Sequence, residues 1–190
     1  MAETQGNMDT AIEYLRKTGL AKAEKRAGKA AAEGLIIIKT SSDNKTAIMV
    51  EVNCETDFVA KGDDFKNFAE AVATRIMAAK PANREALLAM PLQDGKATTV
   101  EGAIKTLTAQ IGEKIDVRRF EIIKAKGILG SYMHGSRIGV VVDIEGGTDE
   151  LRKDVAMHVA ASRPSCVREE QVSADLIAKE KEIYTAQAQD

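Results

Sequence analysis

Two pairs of β-branched apolar runs, each pair separated by a short polar turn, are the clearest pattern along the chain. Residues 41–45 and 134–137 form the turns, and polar segments of this kind between runs of isoleucine and valine favour β-hairpins. A fifth apolar run lies between the two hairpins and predicts one more strand. The predicted strands are residues 35–40, 47–53, 115–123, 127–133 and 138–144.

Between and around the strands, apolar residues recur every three or four positions, which is the spacing of amphipathic helices. Capping residues mark several ends: Thr99 and Ser173 precede two of these segments, and Gly112 follows one. Pro81 and Pro164 end two more, because the residue before a proline disfavours the helical conformation. The predicted helices span residues 9–19, 20–33, 65–80, 83–90, 100–111, 149–163 and 174–188.

Each hairpin is followed by a helix, and the two hairpin–helix units resemble each other. Phe68 and Val72 in the first unit correspond to Leu151 and Val155 in the second, at the same distance before a proline. A hairpin exposes one apolar face that the following helix can cover. The sequence therefore predicts an α+β fold of two related subdomains, each an antiparallel hairpin-based sheet packed on a helix.

The connection from hairpin to helix is longer in the first unit, and its extra residues lie within 54–64. An extended connection is a common place for function, and this one sets Asp57 beside Phe58 in a chain with 4 phenylalanines. The spacing leaves two interpretations open. Either Thr56 or Asp57 caps a helical turn and Phe58 packs in the core, or the acid–aromatic pair forms a contact site.

The overall charge is close to neutral, since 27 lysine and arginine residues stand against 29 aspartate and glutamate residues. Aromatic residues make up 4% of the chain and tryptophan is absent. A dedicated nucleic-acid binder usually has a basic excess and aromatic stacking platforms. The predicted helix 20–33 is nevertheless locally basic. It is either a solvated surface or a contact for an acidic partner, and an RNA-binding α+β module using this helix is one alternative function.

Cysteine and histidine are too few and too scattered to indicate a metal site or a disulfide framework. The residues concerned are Cys54, Cys166, His134 and His158, and we expect no metal and no cofactor. Without a long apolar run or a signal-like start, a cytoplasmic location is expected. A thiol enzyme using Cys54 with a histidine base is a second alternative, although a small buried cysteine is the simpler interpretation.

Four longer blocks resemble the elongation factor Ts family. They are residues 53–61 (NCETDFVAK), 111–119 (IGEKIDVRR), 130–139 (GSYMHGSRIG) and 157–164 (MHVAASRP). Because such blocks follow the family's order over most of the chain, the match is specific. The resemblance implies a guanine-nucleotide exchange factor for the GTPase elongation factor Tu, acting in protein biosynthesis and not as an enzyme. Direct contact with nucleic acid or membrane is not expected, and a homodimer through the core is one further expectation.

The resemblance also implies which residues meet the GTPase. The segment that intrudes near the Mg²⁺ and nucleotide of the GTPase corresponds to Thr56, Asp57, Phe58 and Val59. The positions that meet a helix of its nucleotide-binding domain correspond to Ile111, Gly112 and His134. On this basis we expect Phe58 to enter a pocket of the partner, with Asp57 beside it as a competing acceptor.

By comparison with the family's layout, we expect the chain to be a short form or a fragment. The family places a three-helix module like a ubiquitin-associated domain before two α+β core subdomains. The expected divisions are 1–19 for the remnant of that helical N-terminal module, 20–34 for a linking basic helix, 35–112 for the N-terminal core subdomain, 113–172 for the C-terminal core subdomain and 173–190 for the start of a truncated coiled-coil helix.

Overall fold

The structure is a computed structural model that describes Thr10, Tyr14, Arg26 and residues 28–189. Its strands are β1 (Glu33–Thr40), β2 (Thr46–Cys54), β3 (Asp116–Lys124), β4 (Ile128–His134) and β5 (Ile138–Ile144). Its helices are α1 (Asp57–Lys61), α2 (Asp63–Ala79), α3 (Arg84–Ala89), α4 (Val100–Ile111), α5 (Asp149–Ser162) and α6 (Ala174–Gln187), with a 3-10 turn at Glu169–Gln171. None of these helices is long and apolar enough to cross a membrane.

The α+β class is confirmed, and so are all five predicted strands, to within one or two residues at each end. The helix ends follow the predicted caps. Thr99 Oγ1 accepts a hydrogen bond from Gly102 N at 3.0 Å where α4 begins, and Gly112 adopts a left-handed φ of 83° where it ends. The predicted helix 9–19 lies almost entirely outside the described residues.

The predicted helix 20–33 is wrong over its last residues, and its earlier part lies outside the described residues except for Arg26. A turn occupies residues 28–29, and β1 begins at Glu33. Gly34, the residue after this predicted helix, lies within β1 and allows β1 to approach β2, because a Cβ at this position would overlap the β2 backbone. The RNA-binding alternative, which depends on this helix, stays untested.

The first sheet is antiparallel, with the order β1-β2-β3. Leu35 lies opposite Val52, and Val50 lies opposite Phe120. Since side chains alternate along a strand, every second residue of β2 faces the helices that cover the sheet. The fully buried residues of this core are Ile48, Val50, Val52, Cys54, Phe65, Ala69, Val72, Ala73, Ile76, Leu87, Val100 and Val117.

Strand β3 belongs to the first sheet and not to the second hairpin. The expected division between residues 112 and 113 assigned this strand to the second unit, but it pairs with β2 along its length. The apolar pattern of β3 does not show which strand it pairs with. The pairing depends on where α2, α3 and α4 place the chain before β3 begins. The division into two subdomains otherwise stays a prediction.

The second sheet consists of β4 and β5 and is covered by α5. Its core is thin: Leu129 and Ala156 are buried, together with the side chain of Arg152. The Arg152 guanidinium donates to the carbonyl oxygens of Gly146 and Gly147 at 3.1 and 2.9 Å. These bonds satisfy a charge that would otherwise be costly to bury.

Corresponding positions in the two units share backbone features. Lys80 and Arg163 each precede a proline and adopt the same left-handed conformation, with φ 48° and ψ 57°, at the ends of α2 and α5. A Cβ on Gly127 would lie 2.3 Å from the carbonyl oxygen of Ile144, which parallels the close approach of Gly34 to β2. These matches support the relation between the units that the sequence predicts.

The two sheets are joined at both ends of β1. Hydrogen bonds link the β1–β2 turn to the start of β4 at one end. At the other, Ile36 N donates to Ser136 O at 2.7 Å, and Arg137 forms an ion pair with Glu33. The turn 134–137 therefore lies where β1 begins and β2 ends.

Candidate functional site

The extra segment of the first unit folds into the short helix α1 between β2 and α2. Thr56 is its N-cap, and its Oγ1 accepts a hydrogen bond from Val59 N at 3.4 Å. Gly62 ends the helix, with its N–H bonded to Val59 O at 2.9 Å. The helical turn of the first interpretation is therefore confirmed, and of its two candidate caps Thr56 is the one used.

Phe58 does not pack in the core, so that part of the same interpretation is wrong. The residue is 83% exposed, while its neighbours Val59 and Ala60 pack against the core cluster. A five-residue helix has only one face toward the protein, and these neighbours occupy it. The ring of Phe58 therefore projects outward, and its burial by a partner would contribute about 2–3 kcal/mol.

Asp57, beside this ring, is ionised at neutral pH. A hydrogen bond and ion pair with Lys61 at 2.7 Å hold the pKa of the Asp57 carboxyl below its usual value of 3.8. The charge of Arg137 acts in the same direction. Helix α1 therefore presents an Asp57–Lys61 ion pair next to an exposed aromatic ring.

Two glutamates that the sequence analysis missed tie α1 to the end of α4. Glu113 accepts hydrogen bonds from Thr56 N at 3.0 Å and from Thr56 Oγ1 at 2.7 Å. In the opposite direction, Glu55 Oε1 accepts from Lys114 N at 2.7 Å. Each glutamate adjoins a predicted site residue, Thr56 or Gly112, and this adjacency is the signal that the sequence offered.

Ile111 and Gly112 lie where α4 ends. Gly112 N donates to Thr108 O at 2.8 Å in a left-handed cap. Gly112 is exposed, and Ile111 is half-buried against the core. Because the next residue, Glu113, bonds to Thr56, these two predicted contact residues lie beside α1.

His134 is the last residue of β4 and is exposed at the turn of the second hairpin. Its Nδ1 lies 3.2 Å from the Tyr132 hydroxyl oxygen. The same turn carries Arg137, which pairs with Glu33 at the start of β1 and whose charge reaches Asp57. The structure therefore brings the three predicted segments to one end of the first sheet.

Comparison with known proteins identifies the family. Residues 55–190, which include every predicted site residue, match the family model described as Elongation factor TS. The chain belongs to the elongation factor Ts family. The resemblance drawn from the sequence blocks is confirmed.

Individual elongation factor Ts proteins are similar over nearly the whole chain. The protein of Methylococcus capsulatus is 52% identical over 190 residues, which cover 100% of this chain and 64% of the relative. That of Thioalkalivibrio sulfidiphilus is 52% identical, with 99% and 64% covered. That of Legionella pneumophila (strain Paris) is 50% identical over 187 residues, with 98% and 63% covered. The chain thus spans somewhat less than two thirds of the length of these relatives.

In this member of the elongation factor Ts family, Cys54 lies directly before α1 and is fully buried. Its Sγ donates to Thr56 O at 3.1 Å. Burial, together with the charges of Glu113 and Glu33, raises the pKa of the Cys54 thiol from 9.0 to about 11. The thiolate is the reactive form of cysteine. Because the raised pKa keeps Cys54 protonated at neutral pH, this environment argues against the thiol-enzyme alternative.

We expect Cys54 to resist alkylation in the folded protein while Cys166 reacts. With a pKa of about 11, about one Cys54 thiol in a thousand is ionised at pH 8, and the residue is buried, whereas Cys166 is partly exposed. Iodoacetamide labelling followed by peptide mass spectrometry measures both rates. Labelling in urea is the control in which both thiols react, and rapid labelling of native Cys54 would contradict the buried environment.

The carboxylates of Glu33, Glu55, Asp57 and Glu113 each bind a donor of the protein itself. Within the part of the chain that the structure describes, no group of three or more histidine, cysteine, aspartate or glutamate side chains could hold a metal ion. The site instead offers an anchored helix with an exposed ring beside an Asp57–Lys61 ion pair. Such a surface is suited to binding another protein.

Proposed function

We propose that this protein binds the GTPase elongation factor Tu and promotes the release of its GDP, as a translation elongation factor of the cytoplasm. Family membership supports this partner. The observation that carries the proposal is the 83% exposure of Phe58 on a helix tied to the core. In this role the protein acts by binding its partner, as an exchange factor and not as an enzyme.

The energetic requirement for exchange is differential affinity. An exchange factor shifts the nucleotide equilibrium only by as much as it prefers the empty GTPase over the GDP-bound one. Each factor of ten in that preference needs about 1.4 kcal/mol. Burial of one phenylalanine, at about 2–3 kcal/mol, therefore supplies about 30- to 150-fold.

The action of α1 is directed at the metal of the GTPase. Bound GDP is held by Mg²⁺ and by backbone N–H groups around its phosphates. We infer that the pocket for Phe58 opens only when this Mg²⁺ site is deformed, so burial of the ring favours loss of metal and GDP. Asp57 supplies a competing acceptor for donors near the site. Thr56 holds the helix start, and Val59 anchors it to the core.

A second contact accompanies the first. Ile111, Gly112 and His134 lie at the same end of the first sheet as α1, and Gly112 and His134 are exposed. We assign them to a helix of the nucleotide-binding domain of the GTPase. Contacts at α1 and at this second surface together fix the angle at which Phe58 approaches the nucleotide site.

A stopped-flow assay on the unmodified chain tests the proposal. Elongation factor Tu is loaded with fluorescent GDP and mixed with excess unlabelled GDP and increasing amounts of the protein. The rate of fluorescence loss is expected to rise with protein concentration and then to saturate. A rate that stays at the spontaneous value at all concentrations would refute the exchange function. Heat-unfolded protein at the same concentrations is the control.

A further inference from the structure

We propose that Glu113 is a positioning residue for exchange. It fixes α1 to the end of α4, so that Phe58 and the surface at Ile111 and Gly112 approach the GTPase as one rigid unit. The consequence for exchange rests on the proposed function. The anchoring of α1 itself can be tested without the GTPase.

Both carboxylate oxygens of Glu113 bind the same residue. Oε2 accepts from Thr56 N at 3.0 Å, and Oε1 accepts from Thr56 Oγ1 at 2.7 Å. Because the hydroxyl proton of Thr56 points to Glu113, the lone pairs of its oxygen are available to Val59 N, which donates at 3.4 Å. The carboxylate therefore orients the capping hydroxyl and also holds the backbone before the helix.

Helix α1 depends on such anchoring in addition to the partial packing of Val59 and Ala60 against the core. It has five residues, none of them fully buried, and isolated helices of this length do not persist in water. Its ion pair, between Asp57 and Lys61, lies within the helix and ties it to nothing else. The bond from Lys114 N to Glu55 Oε1, at 2.7 Å, closes the same junction from the other side. Two reciprocal glutamate contacts thus hold the start of α1 against the start of β3.

An ordered contact residue loses less conformational freedom on binding than a mobile one. Removal of the Glu113 carboxylate leaves the chemistry of Phe58 unchanged but lets α1 sample other conformations. The apparent affinity for the partner is then the intrinsic affinity multiplied by the fraction of molecules in which α1 keeps the binding-competent conformation. We expect about one molecule in ten to keep it, and therefore a loss of about tenfold in GDP release at sub-saturating protein concentration. The loss should disappear once Phe58 is already absent, because no ring is left to position.

A fluorescent reporter tests the anchoring directly. The chain contains no tryptophan, so F58W places a single emitter on α1. Adding E113A is expected to introduce fast motion in time-resolved anisotropy, and E113Q, which keeps one acceptor, is expected to give an intermediate amount. E121A removes an exposed carboxylate from β3 and should change nothing. Unchanged anisotropy in both Glu113 variants would overturn the proposal, and E113Q retains the test if E113A does not fold.

Stimulated GDP release tests the consequence with Phe58 in place. E113A is expected to slow release about tenfold, while E113A added to F58A has no further effect. Equal rates for E113A, E113Q and the unmodified chain would overturn the positioning role. If the unmodified chain itself fails to stimulate release, the proposed function falls, and the anisotropy result still decides whether Glu113 anchors α1.

Discussion

Replacement of Phe58 with alanine is expected to slow stimulated GDP release by about 30- to 150-fold. The ring is 83% exposed in the free protein, so its removal takes away free energy that is realised only in the complex. Tm should stay within about 2 °C of the unmodified protein, because surface substitutions without partners change the free energy of unfolding by less than about 0.5 kcal/mol. Stopped-flow release of fluorescent GDP and thermal melting measure the two quantities.

Val167→Ala is the matched control for this prediction. Val167 is 90% exposed and also apolar, but it lies outside the candidate site, after α5. We expect its substitution to leave both release and Tm unchanged. A Phe58→Ala protein that stimulates release as fast as the unmodified protein would contradict the role assigned to the ring, and a large fall in its Tm would show that the ring contributes to folding.

Gly34→Ala is expected to lower the free energy of unfolding by about 3 kcal/mol and Tm by about 6–12 °C. Gly34 has a φ of 144°, which side chains rarely adopt, and a Cβ there would lie 2.1 Å from Val52 O and 2.8 Å from Asn53 Cα. Both contacts are backbone atoms of β2, so neither can move away without breaking the β1–β2 ladder. Urea unfolding and thermal melting followed by circular dichroism measure the loss.

Gly28→Ala separates this close approach from the general effect of replacing glycine. Gly28 lies in a turn, and a Cβ there would meet no atom within 4 Å. The change should alter the free energy of unfolding by less than about 1 kcal/mol. Equal stabilities for the two variants would mean that β1 shifts away from β2 at little cost.

Local sequence patterns predicted most helices and strands, because the interactions that begin and end these elements join residues only a few positions apart. Thr99 and Ser173 each accept a hydrogen bond from the backbone three residues later, so their helices begin where the caps predict. At Gly34 the local pattern led to a wrong prediction, since strand β1 begins at Glu33, where the helix was expected to end. A glycine after a helical pattern and a glycine at a tight strand crossing look alike in sequence, and only the position of β2 distinguishes them.

The candidate site was predictable to a different degree for each residue. The family resemblance placed Thr56, Asp57 and Phe58 among the contacts, and residue type limited the cap of α1 to Thr56 or Asp57. The outward direction of Phe58 was not predictable, because an aromatic residue near a strand end is equally compatible with a core. Glu113 was missed since it lies far from Thr56 in sequence and no local pattern joins them.

By itself, the sequence determined the α+β class, the five strands, most helix ends and the family, because these depend on side-chain periodicity, capping chemistry and sequence blocks within short stretches. Only the tertiary structure decided that β3 joins the first sheet, that Phe58 faces outward and that Glu113 holds α1. These three features depend on which distant segments meet once the core is packed. Pairing partners and the direction of a side chain on a short helix are settled by that packing and not by the neighbours in the chain.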